Sequence, residues 1–512
     1  MTPGVRQRFV FTVTSNLLRS LFSFTASMLL ARWLGPSSFG TMTFLLGTFL
    51  ALRSLMELGS SSAFFTFMSQ RTRSRAFVRG YYGWLLLQFV LAATVIGVVL
   101  PAPWVESIWR GEPRAVVMLA FVASFMQDNV WAVLQQAAES QRQTLKVQRF
   151  GVVIMGAHLS AILLLRHLSA LKMEAVFVLL ALEYGAAAVV AHRVCIAPFL
   201  KPHENDVTGT QGILRAFSLY CTPFVPYAFI GFGYAFADRW LLQRFGGSVQ
   251  QAYYSVGGQF ANVALLATSS ILQILWKEVA EAHHSGNRAR MQLLYERIAR
   301  VMFFISAAVS GFLIPWSRDL LHLVLGATYA AGTTTLAIMF LYPVHQSLGQ
   351  VNVTTLYATE NARPQVLAGT VMMAVSILVT YVVLAGRTAM VPGLGMGSVG
   401  LALKMVGLQL VYVNVLGYII ARRFGWRFRW FYQPVLLAAC LCLGFLSRSL
   451  AVACTAREWP LQMTLVLSGV PYVAFLAGLI FALPGQIGLS RSDLLPEARL
   501  FFRQTMGLLR PK

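Results

Sequence analysis

Charged residues are scarce in this chain and make up only 12% of its 512 positions. Soluble globular domains carry about 25% charged residues, so this composition excludes an ordinary soluble fold. Acidic residues are the rarer kind, with 18 Asp and Glu against 41 Lys and Arg. The five cysteines have no metal-ligand spacing, and no Walker loop for a nucleotide is present. We therefore predict no metal centre, no nucleotide site and no cofactor.

Long apolar runs are abundant, and 57% of the residues are hydrophobic. A run of about 20 apolar residues spans the hydrocarbon core of a bilayer, whereas the strands of a membrane barrel alternate apolar and polar residues. Because the runs are continuous, we predict an all-α, polytopic inner-membrane protein with about 14 transmembrane helices. The predicted crossings are residues 9–31, 39–68, 81–101, 115–137, 150–168, 173–194, 212–237, 251–276, 298–316, 332–357, 364–386, 398–421, 431–452 and 461–483.

The positive charges are distributed unevenly between the two sides of these crossings. With a cytoplasmic N-terminus, the inner loops and tails hold 27 of the 41 Lys and Arg residues, and the outer loops hold 11. Basic residues accumulate on the cytoplasmic side of membrane proteins, so both termini are predicted to be cytoplasmic. The net charge of +23 follows from this bias. Nucleic-acid binding is not predicted, because no basic domain outside the membrane exists to carry it.

The crossings are grouped into two lobes and a C-terminal extension. A polar linker at 196–211 separates an N-lobe of six crossings, residues 1–200, from a C-lobe, residues 201–421. Residues 422–483 form two further crossings. The cytoplasmic tail, residues 484–512, is predicted to be an interfacial amphipathic helix or a solvated segment.

The two lobes resemble each other weakly. A tight glycine turn between two long helices follows the first crossing of each lobe, in Leu34–Gly40 and in Phe245–Tyr254. Duplicated halves are typical of alternating-access carriers, in which the ligand binds between the halves. We therefore predict two pseudo-symmetric lobes of six helices each, followed by the two C-terminal helices.

Two arginines, Arg19 and Arg53, lie near the middle of the first two crossings. An arginine at the centre of a membrane helix costs about 2.5–3.5 kcal/mol on insertion scales, so such residues usually face a hydrated cavity or a partner. Arg19 belongs to a polar helix face, which either lines a water-filled lumen or makes structural hydrogen bonds to a neighbouring helix. That face consists of Thr12, Ser15 or Asn16, Arg19, Ser23 and Ser27.

Acidic residues in the crossings are candidates for charge tuning or ion coupling. Glu57 lies one turn after Arg53, and it either neutralises the arginine or positions it while part of the guanidinium stays free. Asp128 in the fourth crossing either pairs with Arg19 or Arg53 or serves as a proton site, because burial favours a neutral carboxyl group. Glu183 in the sixth crossing has no assigned role.

The C-lobe contributes further polar residues. The eighth crossing has an uncharged polar face, on which Gln259 and Asn262 are candidates for lining the lumen together with Asn16. Lys404 in the twelfth crossing either faces the lumen or snorkels toward the outer surface. Arg19, Arg53 and Lys404 are therefore the candidate ligands of an anionic substrate.

Short motifs in both halves resemble a known family. The stretch Leu30–Gly40, followed by Glu57–Gly59, resembles the start of the bacterial polysaccharide flippases, which export O-antigen and exopolysaccharide units. Asp238–Arg239 and Tyr253–Ser255 resemble the second half of the same family. These flippases belong to the multidrug/oligosaccharidyl-lipid/polysaccharide (MOP) exporter superfamily.

The resemblance implies a membrane transporter rather than an enzyme. Its substrate would be an oligosaccharide on undecaprenyl pyrophosphate, moved by two lobes that alternate between inward- and outward-open states around a cationic lumen. Membrane lipids and polysaccharide polymerase or export proteins are its candidate partners. The Arg-Asp doublet typical of lipid II flippases is absent, since Ser20 follows Arg19.

Two other functions stay open at the level of sequence. A drug or cation antiporter of the same superfamily would need carboxylates within the membrane to bind its cationic substrate. A membrane glycosyltransferase or polymerase of the same pathway would need a large outer loop with catalytic residues. The longest outer loops predicted here, near 102–114 and 387–397, are about a dozen residues long.

Overall fold

The structure is a computed structural model that describes residues 5–70, 73–200, 210–266, 269–455 and 459–489. Within these ranges the chain forms helices and no strand, which confirms the all-α prediction. Among the described residues, eleven helical segments are long and apolar enough to cross a membrane, judged by length and composition. The chain is therefore a multi-pass membrane protein. Residues 490–512 of the predicted tail and most of the predicted linker lie outside the described residues.

Packing divides the chain into two units. Unit 1 comprises Met1–Ser255 and Met373–Leu401, and unit 2 comprises Val256–Met372 and Ala402–Lys512. The two lobes expected from the sequence are defined by their internal resemblance, whereas the two units are defined by contacts between residues. The lobe boundaries therefore remain a prediction.

The helices of unit 1 are joined mostly by short turns. They are α1 (Val5–Glu57), α2 (Ser60–Gln70), α3 (Arg75–Thr94), α4 (Ala102–Trp109), α5 (Arg114–Ser124), α6 (Ala132–Ser140), α7 (Thr144–His167), α8 (Met173–Ala191), α9 (Thr210–Cys221) and the first part of α10 (Val225–Leu266). A π-helical turn at Phe125–Trp131 joins α5 to α6 without a loop.

Unit 2 begins within α10 and ends after the last described helix. Its helices are α11 (Ser269–His284), α12 (Arg288–Leu313), α13 (Ser317–Leu325), α14 (Thr333–Met339), α15 (Tyr342–Ala358), α18 (Tyr432–Thr455), α19 (Leu461–Ala482) and α20 (Pro484–Ile487). Between α15 and α18, α16 (Ala362–Leu384) and α17 (Gly397–Phe424) contribute residues to both units. The tenth predicted crossing, residues 332–357, is divided between α14 and α15, so the count of about 14 crossings is approximate.

Two membrane segments are about twice the length of one crossing, with 44 residues in Thr14–Glu57 and 54 in Gly212–Leu265. Each contains a glycine with a positive φ, at Gly35 (φ 76°, ψ 168°) and at Gly247 (φ 76°, ψ 179°). Residues other than glycine are strained in this conformation, so each segment bends there and continues as a second helix. The glycine turns expected from the sequence are therefore present in both places, with nearly the same backbone angles.

The seventh crossing is longer than the sequence pattern indicates. The sequence predicts that the seventh crossing ends at residue 237, next to Asp238 and Arg239, but α10 continues as helix through both residues. The Thr380 hydroxyl donates a hydrogen bond to the Asp238 carboxylate at 2.7 Å, and Arg239 donates one to the Thr43 carbonyl at 3.3 Å. Both charged residues therefore have hydrogen-bond partners within unit 1.

In unit 2, small residues allow α12 and α18 to approach closely. A Cβ atom on Gly311 would lie 2.6 Å from the carbonyl oxygen of Cys440, and a Cβ on Gly444 would overlap the carbonyl oxygen of Gly311. Membrane helices associate through such small-residue contacts, because lipid provides no hydrophobic force between them. These glycines therefore join the first of the two C-terminal crossings to the rest of unit 2.

We expect Gly444→Val to lower the thermal stability of the purified protein, because the valine would collide with backbone that cannot move aside. Overpacking of this kind costs about 1–3 kcal/mol, which a thermal unfolding midpoint in detergent detects. Gly478→Val on α19 is the matched control, since a Cβ there meets no atom within 4 Å. Equal midpoints for the two variants would contradict this account of the interface.

Candidate functional site

Arg19 is held on the first half of α1 by groups from α7. Its Nη1 donates a hydrogen bond to the side-chain carbonyl of Gln148 at 3.3 Å. The rest of the guanidinium lies over Gly151, where a Cβ would come within 2.9 Å of Nε. That Nε is buried, and no described residue accepts a hydrogen bond from it. Arg19 is thus positioned by an amide and a glycine, without a direct ion pair among the described residues.

Arg53 lies just before a break in the second crossing. The sequence predicts one continuous helix over 39–68, but Leu58 (φ 45°) and Gly59 (φ 85°) interrupt it. Breaks of this kind free backbone groups that the membrane cannot solvate, and they are tolerated where side chains or a cavity satisfy those groups. Here the side-chain amide of Gln88 on α3 donates to the carbonyl of Met56 at 2.6 Å.

Glu57 spans the break and orients Arg53. One of its carboxylate oxygens accepts from Arg53 Nε at 2.7 Å, and the other accepts from the Ser61 hydroxyl at 3.0 Å on the far side of the break. The Arg53 side chain remains 24% exposed, and no described residue lies within hydrogen-bonding distance of its two Nη atoms. Glu57 therefore uses one edge of the guanidinium and leaves the other edge open to a ligand.

Asp128 lies within the π-helical turn that joins α5 to α6. Its carboxylate accepts a hydrogen bond from the Ser124 hydroxyl at 2.8 Å. In the described part of the chain it forms no ion pair with Arg19 or Arg53. The preceding residue, Gln127, donates to the Tyr184 hydroxyl of α8 at 3.3 Å. Turns of π geometry are frequent at functional sites, because the extra residue changes which side chains point inward.

These groups influence one another electrostatically within unit 1. Asp128 interacts with both Arg53 and Glu57, and Tyr184 interacts with Arg19 and Asp128. The structure thus places Arg53, Glu57 and Asp128 near one another, and Tyr184 lies near both Arg19 and Asp128.

The remaining predicted residues have different surroundings. Asn16 is exposed on α1, one residue after the buried Ser15. Gln259 is partly exposed and Asn262 is exposed on the part of α10 that belongs to unit 2. Lys404 of unit 2 is only 4% exposed, and its ammonium lies 3.9 Å from the sulfur of Met405. Contact between Lys404 and a ligand therefore requires a local opening around its side chain.

Several residues that contact the predicted site residues were not identified from the sequence. Gln148 and Gly151 support Arg19, and Gln88 supports the break beside Arg53. Glu183 also acquires a partner, since its carboxylate lies 2.7 Å from Nδ1 of His158 on α7. Gln88, His158 and Glu183 are each a polar residue inside a predicted crossing, and this feature is visible in the sequence. The sequence does not show which residues they contact.

Comparison with known proteins identifies the fold. No protein-family model matches the chain, and no curated protein matches it in sequence. Among solved structures, it is similar to the lipid II flippase MurJ in an inward closed conformation, with 11% identity, a TM-score of 0.66, and coverage of 93% of this chain and 99% of that one.

Two further neighbours belong to the MOP superfamily. A transporter from Pyrococcus furiosus, described as having a binding pocket of reverse polarity, is 12% identical with a TM-score of 0.54, over 81% of this chain and 94% of that one. A multidrug resistance transporter of the MATE family in an inward-facing conformation is 14% identical with a TM-score of 0.57, over 80% and 94% of the two chains. These neighbours are transporters rather than enzymes. The chain therefore has the fold of the MOP-superfamily transporters.

Proposed function

We propose that this chain is an alternating-access flippase, which moves an oligosaccharide linked to undecaprenyl pyrophosphate across the bacterial inner membrane for polysaccharide biosynthesis. The proposal rests on Arg53, which pairs with Glu57 through Nε, while its two Nη nitrogens have no hydrogen-bond partner in the described part of the chain. Candidate partners are membrane lipids and the polysaccharide polymerase and export proteins.

Arginine suits a pyrophosphate ligand for geometric reasons. Its planar guanidinium donates two parallel hydrogen bonds to phosphate oxygens, and such charge-assisted bonds are about twice as strong as neutral ones. In this proposal Arg53 binds the pyrophosphate through its open edge, and Arg19 adds a second positive charge. Asn16 contacts the sugars, while the prenyl tail stays in the bilayer beside the two C-terminal crossings, residues 422–483.

The C-lobe side of the transport path and the energy source are also parts of the proposal. Gln259, Asn262 and Lys404 supply polar contacts from the C-lobe during the transport cycle. An ion gradient or the membrane potential drives transport, because the sequence holds no nucleotide motif. Glu57 and Asp128 couple ion movement to the cycle, since both carboxylates interact electrostatically with Arg53.

A reconstituted assay tests the flippase proposal. Purified protein is placed in liposomes that carry a fluorescent oligosaccharide on undecaprenyl pyrophosphate, and translocation is read as accessibility of the label to a quencher that cannot cross the membrane. Transport should occur with this lipid and should be absent in protein-free liposomes. If the lipid-linked sugar does not move under an imposed proton gradient, sodium gradient or membrane potential, the proposal is wrong.

A second candidate function is antiport of a cationic compound, and the carboxylates favour it. Asp128 is hydrogen-bonded only to Ser124 among the described residues, and Glu139 also interacts with Arg19. A carboxylate without an ion pair can bind a cation or a proton. Cells that express the protein would then resist cationic drugs, and Asp128→Asn would abolish the resistance. Unchanged drug sensitivity together with translocation of the lipid-linked sugar excludes this alternative.

A further inference from the structure

A cleft at the basic end of unit 2 forms a second candidate site. It lies between α12, α15, the C-terminal end of α17 and the turn that leads into α18, and its empty volume, including the open mouth, is about 550 Å³. The lining residues that matter most are Arg300, Arg427, Arg429, Asn414, Phe428 and Gln433. All of them belong to unit 2, and none belongs to the group around Arg19 and Arg53.

The turn above the cleft is held in place by its own contacts. Gly425 has φ 73° and ends α17, after which the backbone N–H of Trp426 donates to the carbonyl of Ala421 at 2.7 Å. The Trp426 ring then stacks on Phe424 at 5.0 Å and contacts Tyr295 at 5.4 Å between ring centroids. This anchoring directs the following residues, 427–429, along the edge of the cleft.

Positive charge in the cleft exceeds negative charge. Glu296 is the acidic residue in the lining, and Arg300 already donates to it at 3.2 Å and to the carbonyl of Gly485 at 2.5 Å. Arg427 and Arg429 are exposed, and no described residue forms an ion pair or a hydrogen bond with either side chain. Two guanidinium groups are therefore free to bind an anion, beside a third that Glu296 neutralises.

Exposed aromatic rings flank these free arginines. Phe428 is 38% exposed, Trp430 is 45% exposed and Phe431 is 71% exposed. Aromatic side chains of this kind accumulate at the membrane–water interface, where their rings contact lipid. A ligand that fits both the free arginines and the exposed rings has a negatively charged group and an apolar part.

We propose that this cleft binds the phosphate headgroup of an anionic phospholipid, with the acyl chains lying against the exposed aromatic rings. Basic pockets between membrane helices on the cytoplasmic side bind such headgroups, and the positive-inside pattern predicts that this end of unit 2 is cytoplasmic. The headgroup bridges the turn before α18 to α12, so bound lipid stabilises the attachment of the two C-terminal crossings. This site is separate from the proposed substrate site and does not depend on the flippase function.

The test uses the full-length protein and the double variant Arg427→Gln/Arg429→Gln. Thermal unfolding is measured in detergent with added phosphatidylglycerol, phosphatidylcholine or inorganic phosphate, and retained lipid is identified by native mass spectrometry. We expect phosphatidylglycerol to raise the unfolding midpoint of the wild-type protein. The variant lacks two charged contacts and should bind this lipid at least about tenfold more weakly. Without lipid the two midpoints should agree, because neither side chain has a partner in the described structure.

Arg422→Gln/Arg423→Gln is the matched control. These two arginines are exposed at the end of α17 and carry the same charge, but they do not line the cleft. The control should bind phosphatidylglycerol like the wild type. An equal loss in both double variants would show that only general surface charge attracts the lipid. Stabilisation by inorganic phosphate alone, or by phosphatidylcholine to the same extent, would also overturn the proposal.

Discussion

Replacing Arg19 and Arg53 together by glutamine is expected to abolish transport of the lipid-linked oligosaccharide. Each arginine contributes a charged donor to an anionic ligand, and a hydrogen bond to a charged group contributes about 1.5–3 kcal/mol. Loss of one such bond lowers affinity by roughly 10- to 150-fold, so loss of both brings transport below detection. The measurement is quencher accessibility in liposomes, supported by glycan display in cells.

The design must separate lost binding from lost folding. Arg53→Gln alone leaves Glu57 without its ion-pair partner, and an uncompensated buried charge is strongly destabilising. Arg53→Gln/Glu57→Gln removes both members of the ion pair, so it tests substrate binding with less disturbance of the fold. Arg75→Gln, at an exposed arginine at the start of α3, is the matched control and should transport normally.

Arg53→Lys separates charge from geometry. Lysine keeps the positive charge but lacks the planar fork that donates two parallel hydrogen bonds. We therefore expect transport between that of the wild type and that of Arg53→Gln. Normal glycan display by the Arg19→Gln/Arg53→Gln strain would show that these arginines do not bind the substrate.

Gly151→Val is expected to reduce transport about as strongly as Arg19→Gln, although it changes no charge. A Cβ at this position would lie 2.9–3.1 Å from Nε, Cδ and Cζ of Arg19. Because the arginine side chain is flexible, it should move aside and leave the helices packed. The guanidinium would then lose its hydrogen bond to Gln148 and its position. The loss, roughly tenfold or more for one misplaced charged donor, is read in the same liposome assay.

A second glycine provides the control for this substitution. Gly185→Val places the same side chain on the neighbouring helix α8, where a Cβ meets no atom within 4 Å. It should transport normally. Thermal unfolding midpoints of both variants should stay close to that of the wild type. Full transport by Gly151→Val would mean that the position of Arg19 is not important, whereas a large fall in its midpoint would mean that Gly151 has a packing role instead.

Much of the candidate site could be predicted from the sequence. A charged residue within a membrane-spanning segment is energetically costly, so its presence there is a signal. Arg19, Arg53, Glu57 and Asp128 stand out in apolar crossings, and in the structure Asp128 interacts electrostatically with Arg53 and Glu57. The other residues that contact these four could not be predicted from the sequence. Helical periodicity assumes continuous α-helix, and it therefore could not indicate the break at Leu58–Gly59 or the π-helical turn at Phe125–Trp131.

The amino-acid sequence by itself determined that this chain is helical and crosses a membrane many times, and it located the two glycine bends. These properties depend on local composition and on backbone angles that only glycine adopts easily. Tertiary structure alone decided which buried polar groups meet. Arg19 and Gln148 are 129 residues apart, and His158 and Glu183 lie on different helices. The packing of helices that are distant in sequence places such groups together, and no local pattern of residues encodes that packing.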